Sequence, residues 1–452
     1  MHATDFARRI SPWLVQEAPL GVHIGLAIRQ AINSGQLAAG DQLPPERAMA
    51  AELHVSRPTI SAVVDDLRRS GLVVSRQGSG TWVAETAGPT APPVPFAELL
   101  HGTGLIDLAA AVAPDAGFLP QMRIETTDFL AVDPASGFAP LGIPALRHAV
   151  AERQRRWRPD TTPAEVVVTS GAHQALALLV STLAPRGSRV LVEDLTYGGL
   201  FDIIRTNGCV AVGMAADDDG PCPDSLRRRL ERDEPSLVVI VASVHSPTGA
   251  VMTDERAADL ATILRESPAT VIVDETYADL SFGRADRALA TALAPDAIVV
   301  GSLSKSLWTG LRTGWIVAPE SVCENILRRR WSMFDLGPAV PSQLLAVQAM
   351  TRLDTILAGR IDHLRASAEL LGTGLARLEP TWEVTPPQGG LALWVRTTGT
   401  DGRVLADAAA DRGVAVLPGS ACRVGGGPDD HVRLCFDRPP EVLTEALDRL
   451  AG

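Results

Sequence analysis

At 452 residues the chain exceeds what one hydrophobic core usually supports, and 46% apolar with 21% charged residues is the composition of a folded chain, so two or three domains are expected. A formal charge of −12 argues against a general polyanion binder and leaves room for a small module that reads DNA locally. The five cysteines, Cys209, Cys222, Cys323, Cys422 and Cys435, form no C-x-x-C pair, which argues against a disulfide framework and a zinc site; no metal is expected.

Apolar residues recur at helical spacing from Leu20 to Ile32, predicting a first helix that Asn33-Ser34-Gly35 ends. Pro44-Pro45-Glu46-Arg47 opens a second, short helix through Leu53. After a tight turn at His54-Val55, Ser56 caps a third helix with the stripe Ile60, Val63, Val64 and Leu67, closed by Gly71. Leu72–Arg76 and Thr81–Val83, joined through Gln77-Gly78-Ser79-Gly80, read as two short strands, so residues 1–85 have the order of a winged helix-turn-helix. This segment holds eight Arg against eight Asp or Glu and is neutral. Residues 86–105 begin with a Pro-rich stretch and are expected to be a linker.

Residues 106–452 alternate apolar runs with helical stretches. The runs Val166–Thr169, Val190–Val192, Leu237–Ala242, Thr270–Val273 and Ile298–Gly301 predict an α/β domain with a mostly parallel central sheet. Shorter strands at Leu391–Val395, Val414–Leu417 and Val432–Phe436 predict a smaller α+β lobe. No apolar run is long enough to span a bilayer, and the N-terminus leads into no apolar h-region, so the protein is expected to be cytoplasmic and to have no membrane partner.

The rare residues carry the chemistry. Of 41 basic residues, 40 are Arg and one is Lys305, and the tyrosines are two, Tyr197 and Tyr277. Replacement of Lys by Arg wherever charge suffices explains the 40; the exception marks a place that needs an amine able to lose its proton, which Arg, charged up to pH ~12, cannot do. Ligands in open α/β sheets collect after the carboxyl ends of strands. Ser170-Gly171-Ala172-His173 follows one predicted strand and opens a helix, presenting N–H groups suited to a phosphate. Asp274-Glu275-Thr276-Tyr277 follows another; Asp274 suits a protonated pyridine nitrogen and Tyr277 the ring's phenolic oxygen. Ser302-Leu303-Ser304-Lys305 with Arg312 supplies an amine for an aldehyde, hydroxyls for a phosphate and a guanidinium to neutralise it.

In order and spacing, Ser170-Gly171-Ala172, Glu193-Asp194-x-x-Tyr197, Pro247-Thr248-Gly249, Asp274-x-x-Tyr277, Ser302-x-Ser304-Lys305 with Arg312, and Arg433-Leu434-Cys435-Phe436 resemble fold-type I aminotransferases. Leu43-Pro44-Pro45-Glu46-Arg47, Val55-Ser56-Arg57-Pro58-Thr59 and Arg76-Gln77-Gly78-Ser79-Gly80-Thr81 resemble the GntR-type winged helix, and both in one chain look like the MocR subfamily of GntR regulators.

The resemblance implies pyridoxal 5′-phosphate (PLP) as cofactor, held as a Schiff base by Lys305, with Asp274 on the ring nitrogen, Tyr277 and Ser246 near the ring oxygen, and Tyr197 and His173 beside the ring. Gly171, Ala172, Ser302, Ser304 and Arg312 are implied for the phosphate, and Arg433 for the carboxylate of an effector. Ser246 departs from the Asn common in aminotransferases, which suits a sensor better than an enzyme. For DNA, Ser56, Arg57 and Thr59 are implied to read bases, with Arg57 the candidate for guanine, and Arg47, Arg76, Gly78 and Gly80 to meet the backbone or minor groove. The expected function is a PLP-dependent transcription regulator, a homodimer on an operator, responding to a small amine, amino acid or B6 vitamer. A catalytically active aminotransferase with an appended DNA-binding domain is the alternative, and residual transaminase half-reaction is compatible with either.

Overall fold

The computed structural model describes the chain apart from residues 1, 12–23, 26, 29–30, 33–35, 38–39, 70–71, 77–79, 85–95, 97–103, 115–116, 133–135, 284–286 and 427–428. The chain divides into two compact units, Met1–Pro95 with Gly425–Gly427 and Phe96–Val424 with Pro428–Gly452.

In the first unit, Ile24, Ala27, Ile28, Ala31 and Ile32 of the predicted first helix are helical and buried. The predicted helix-turn-helix follows: α1 (Glu46–Glu52), a turn in which His54 takes a left-handed φ of 54°, and α2 (Arg57–Arg69). The Ser56 hydroxyl accepts the Thr59 N–H at 3.3 Å, the cap that starts α2. Ile60, Val63, Val64 and Leu67 all face one core with Met49 and Leu43, as their spacing requires. β1 (Val73–Arg76) and β2 (Gly80–Val83) pair antiparallel, Val73 opposite Val83 and Arg76 opposite Gly80. The closing Gly71 and the wing residue Gly78 lie outside the described residues.

The second unit is built on seven strands: β3 (Val166–Thr169), β4 (Arg189–Glu193), β5 (Val210–Met214), β6 (Leu237–Val241), β7 (Thr270–Asp274), β8 (Ile298–Ser302) and β9 (Gly314–Val317). Their order is β3-β9-β8-β7-β6-β4-β5, and every pairing is parallel except those of β9 with β8 and β3. Alternate residues feed two cores: Val166, Val168, Leu191, Val238 and Ile240 pack on one face, Val167, Val190, Val192, Leu237 and Val239 on the other. Burial on both faces is why these strands read as continuous apolar runs. β5 and β9 were not among the expected strands; β9 lies antiparallel in a parallel sheet, a placement set by pairing distant in sequence.

The smaller lobe carries β10 (Glu383–Val384), β11 (Ala392–Arg396), β12 (Leu417–Pro418) and β13 (His431–Cys435), in the order β10-β11-β13-β12. The expected strand Val414–Leu417 is divided: Leu417-Pro418 pairs with β13, while Val414-Ala415 pairs in parallel with Ile106-Asp107. That second pairing introduces the segment from Ile106 to Ala113, which is held throughout by its own backbone. Cys435 N–H donates to the Leu108 carbonyl at 2.7 Å, Arg438 Nε to that of Asp107 at 2.9 Å, and Thr309 N–H to that of Ala113 at 3.1 Å.

Candidate cofactor pocket and DNA-reading face

The carboxyl ends of the parallel strands converge on one pocket. β3 delivers Gly171, β4 Tyr197, β6 Ser246, β7 Asp274 and Tyr277, and β8 Ser302, Ser304 and Lys305; β9 runs the other way, so Arg312, two residues before it, reaches the same place. With Ala172, His173 and Arg433 these line a single cavity, so the structure brings together all twelve residues that the sequence nominated for cofactor and effector.

At one end stands α3 (Ala172–Leu183), whose N-cap is Gly171 at φ 103°, a conformation open to glycine. A Cβ on Gly171 would point 3.4 Å from Ser304 Oγ and 3.6 Å from Arg312 Nη1, into the space these groups share. Ser304 Oγ is buried and has no hydrogen-bond partner, and Arg312 is held in the left-handed region at φ 50°. Such a backbone costs of the order of 1–3 kcal/mol in a non-glycine residue and persists where its surroundings impose it. Ser302 differs from Ser304: its hydroxyl donates to the Thr313 carbonyl at 3.1 Å and accepts the Ser304 N–H at 3.1 Å. It shapes the turn, while Ser304 keeps a free donor. His173 Nδ1 and the Tyr197 hydroxyl are hydrogen-bonded at 3.1 Å, which fixes both rings at the pocket's side.

At the other end, Lys305 Nζ donates to the Ala111 carbonyl at 2.5 Å and lies 6.0 Å from the Tyr277 ring centroid. Burial, then the cations Arg433 and Arg312, push its pKa down to about 8, so a substantial fraction of the amine is neutral near physiological pH. Asp274 is buried and accepts from the Thr276 N–H and hydroxyl; burial raises its pKa, opposed by the Thr276 hydrogen bonds and the Lys305 charge. Burial also raises the Tyr277 phenol, which keeps its proton, and Ser246 lines the same cavity. Arg433, on β13, is 2% exposed, donates from Nη2 to the Ala109 carbonyl at 2.6 Å, and leaves its buried Nε without a partner. Buried Arg287 and Arg360 are ion-paired with Glu275 and Asp437; Arg433 has no carboxylate partner among the described residues.

In the first unit Arg47, Ser56 and Arg57 are exposed, and Thr59 is partly so. Arg57 opens α2 with no ion-pair partner among the described residues, whereas the Ser56 hydroxyl is tied to Thr59 Oγ1 at 2.7 Å and to the helix cap. Gly80 begins β2 at φ 95°. The backbone of Arg76 ends β1, but its side chain lies outside what is described.

Residues 105–450 match the aminotransferase class I and II family, and residues 20–83 match the bacterial regulatory proteins of the gntR family. The chain belongs to the MocR subfamily of GntR-type regulators. This MocR protein is 27% identical over 467 aligned positions to the HTH-type transcriptional regulator TauR of Rhodobacter capsulatus, covering 94% of each chain. It is 33% identical to the vitamin B6 salvage pathway transcriptional repressor PtsJ of Salmonella typhimurium, covering 67% of this chain and 68% of that one. The α-aminoadipate aminotransferase LysN of Thermus thermophilus, solved with N-(5′-phosphopyridoxyl)-L-leucine, shares the fold at a TM-score of 0.68 and 24% identity, over 79% of this chain and 95% of that one. The chain is thus a PLP-dependent type of transcription regulator, and among its described residues no helix is long and apolar enough to cross a membrane.

The pocket of this MocR chain fits that cofactor on its own chemistry. An orphaned buried hydroxyl at Ser304, the N-terminus of α3 and the Arg312 guanidinium form an anion cradle whose open centre a Cβ on Gly171 would enter. An amine with a lowered pKa and a buried carboxyl with no ion pair among the described residues lie in the same cavity. The sequence reading missed seven lining residues, Phe96, Ala111, Val112, Leu176, Val241, Thr276 and Thr309. Thr276 was legible as the neighbour that orients Asp274; Phe96 and Ala111 carry no motif and enter through long-range folding.

Proposed function

We propose that a small amine, amino acid or B6 vitamer, seated between Lys305 and Arg433, alters DNA binding by residues 1–85 of a cytoplasmic homodimer. The observation that carries this reading is Arg433, buried without a carboxylate partner in the cavity that holds the chain's one lysine. A buried cation with an unsatisfied N–H is costly, and a ligand carboxylate removes that cost with bidentate geometry.

Bound PLP supplies an aldehyde that condenses with amines and a ring that draws electrons. Lys305 would hold it through Nζ, Asp274 would keep a proton at the ring nitrogen, the Tyr277 hydroxyl would face the ring oxygen, and Tyr197 with His173 would flank the ring. Ser304, Arg312, Gly171 and Ala172 would hold the phosphate, with Ser302 setting their turn. Lys305 and Arg433 are now joined to the Ala111 and Ala109 carbonyls of one short segment. PLP on Lys305 and a ligand carboxylate on Arg433 would each compete with one of these carbonyls, so occupancy would be linked to the path of residues 109–111.

Relatives support the class of effector: PtsJ is a repressor of vitamin B6 salvage, and the carboxylate-seeking Arg433 adds carboxylate-bearing amines. Dimerisation is supported by the exposed Phe138, Trp331, Met333, Phe334 and Leu336, which a second copy of the chain could cover. Two modules on one site would raise the affinity of a DNA-reading unit that is neutral overall. The short Ser246 side chain, standing where aminotransferases commonly have Asn, favours sensing over turnover. The test is the affinity of the PLP-loaded protein for the promoter fragment beside its gene, measured against amines and B6 vitamers, with transamination of the same amines followed in parallel. Ligand-dependent DNA affinity without multiple turnover is expected. Multiple turnover with DNA affinity unchanged by every ligand would establish the aminotransferase alternative.

A further inference from the structure

Phe96 is described between two stretches that are not, yet its own environment is specific. Its ring is buried, meets Tyr197 edge-on at 5.3 Å and 84°, and lies 5.9 Å from the Arg433 guanidinium carbon. Its N–H donates to Asp202 Oδ2 at 2.7 Å, on a carboxylate whose other oxygen is held by Arg205. A glycine makes room for it: a Cβ on Gly198 would fall 2.3 Å from the Phe96 ring. Ala109, Trp394, Leu417 and Cys422 complete the cluster around the ring, which also lines the cavity with Lys305 and Arg433.

We propose that Phe96 is a specificity-determining wall of the ligand site, restricting the carboxylate-bearing amine beside Arg433 to one with a small or unbranched side chain. This rests on the reading of Arg433 given above. Because the Arg433 guanidinium carbon lies 5.9 Å from the Phe96 ring centroid, a carboxylate on Arg433 sets the ligand's side chain beside that ring, in the cavity that Tyr197 also lines. Close packing leaves a branched side chain no place there without moving the ring. The ring also has limited freedom to move, because its backbone is bonded to Asp202 and its edge is set against Tyr197.

The test uses full-length protein freed of cofactor and three stable probes: pyridoxamine 5′-phosphate, N-(5′-phosphopyridoxyl)-glycine and N-(5′-phosphopyridoxyl)-L-leucine. Each affinity is measured by calorimetry, with pyridoxamine 5′-phosphate as the reference for the phosphate and ring. The native protein is expected to prefer the glycyl to the leucyl probe by roughly tenfold or more, the scale on which a pocket excludes added methylenes. Phe96→Ala brings the two to within about threefold by strengthening the leucyl probe. Asp202→Ala, which leaves every pocket side chain in place, moves the ratio the same way by a smaller amount. Native protein that binds both probes equally, or an unchanged ratio in Phe96→Ala, overturns the proposal. Should Phe96→Ala fail to fold, Phe96→Leu and Asp202→Ala decide by the same ratio. Arg433→Ala separates the two readings: if it binds the glycyl probe as tightly as the native protein, the role of Arg433 fails, whatever the Phe96 ratio shows.

Discussion

In the second unit the candidate residues come from the ends of six strands and a separate lobe, and most are buried against neighbours that fix them; in the first unit Arg47 and Arg57 stand in solvent on two helices. The difference follows from what each region must recognise. An amine able to attack a carbonyl and a phenol beside the ring have no substitutes in an arginine-rich chain, so one lysine and two tyrosines leave a compositional mark, whereas Asp274 is one of 53 acidic residues and is marked only by its position after a strand. Contacts to phosphate or guanine need charge and reach, which any of 40 arginines can supply, so composition is silent and only position on the helix speaks.

The largest effect expected of any substitution lies in the second unit. Lys305→Ala removes all side-chain labelling after loading with PLP and borohydride reduction, read as the loss of the added mass from the peptide around residue 305, while circular dichroism is retained. The contrast breaks if the mass persists on another side chain. Gly171→Ala comes next: a Cβ in the left-handed backbone, aimed into the cradle beside Ser304 and Arg312, should weaken the affinity for pyridoxamine 5′-phosphate roughly tenfold. Native affinity in that variant would place the phosphate elsewhere.

In the first unit, Arg57→Ala is expected to reduce the preference for operator over random DNA by ~1–3 kcal/mol. Equal loss on both DNAs, in a filter-binding or anisotropy titration, would reduce Arg57 to a phosphate contact and sharpen the contrast between the units. The smallest effect is a pH profile. Because the neutral amine is the nucleophile and burial among cations sets Lys305 to about 8, its rate of PLP attachment should climb with pH and level off above that value. An ordinary lysine would keep climbing to pH ~10.4. Peptide mapping of residue 305 distinguishes the two curves.

Much of this was legible because the signals were local. Runs buried on both faces read as strands, so the polar residues after them, Gly171, Asp274 and Arg312, were nominated by position and Lys305 by being the one lysine, with the family resemblance strengthening each; Arg433 came through that resemblance, and all five line one cavity. What was not legible depended on chain segments far apart. Strand β9 owes its direction to β3 and β8; the run Val414–Leu417 is split because its two halves pair with different partners; Phe96 reaches the pocket only after Gly198 and Asp202 receive it. Ser302 shows a finer limit: the motif names a hydroxyl, and the fold uses it to cap a turn.

The central claim is that the pocket and the DNA-reading face communicate through a ligand held by Arg433, and Arg433→Ala tests it most directly. The measurement is the operator affinity of PLP-loaded native and Arg433→Ala protein, each titrated with the amine that most changes the native affinity. A ligand shifts an equilibrium only by its differential affinity for the two states, so removing the group that holds its carboxylate removes the shift. The account predicts that Arg433→Ala keeps the borohydride-fixed mass on Lys305 and binds operator with an affinity that no longer responds to the amine. A native-sized response at the same amine concentration would contradict it.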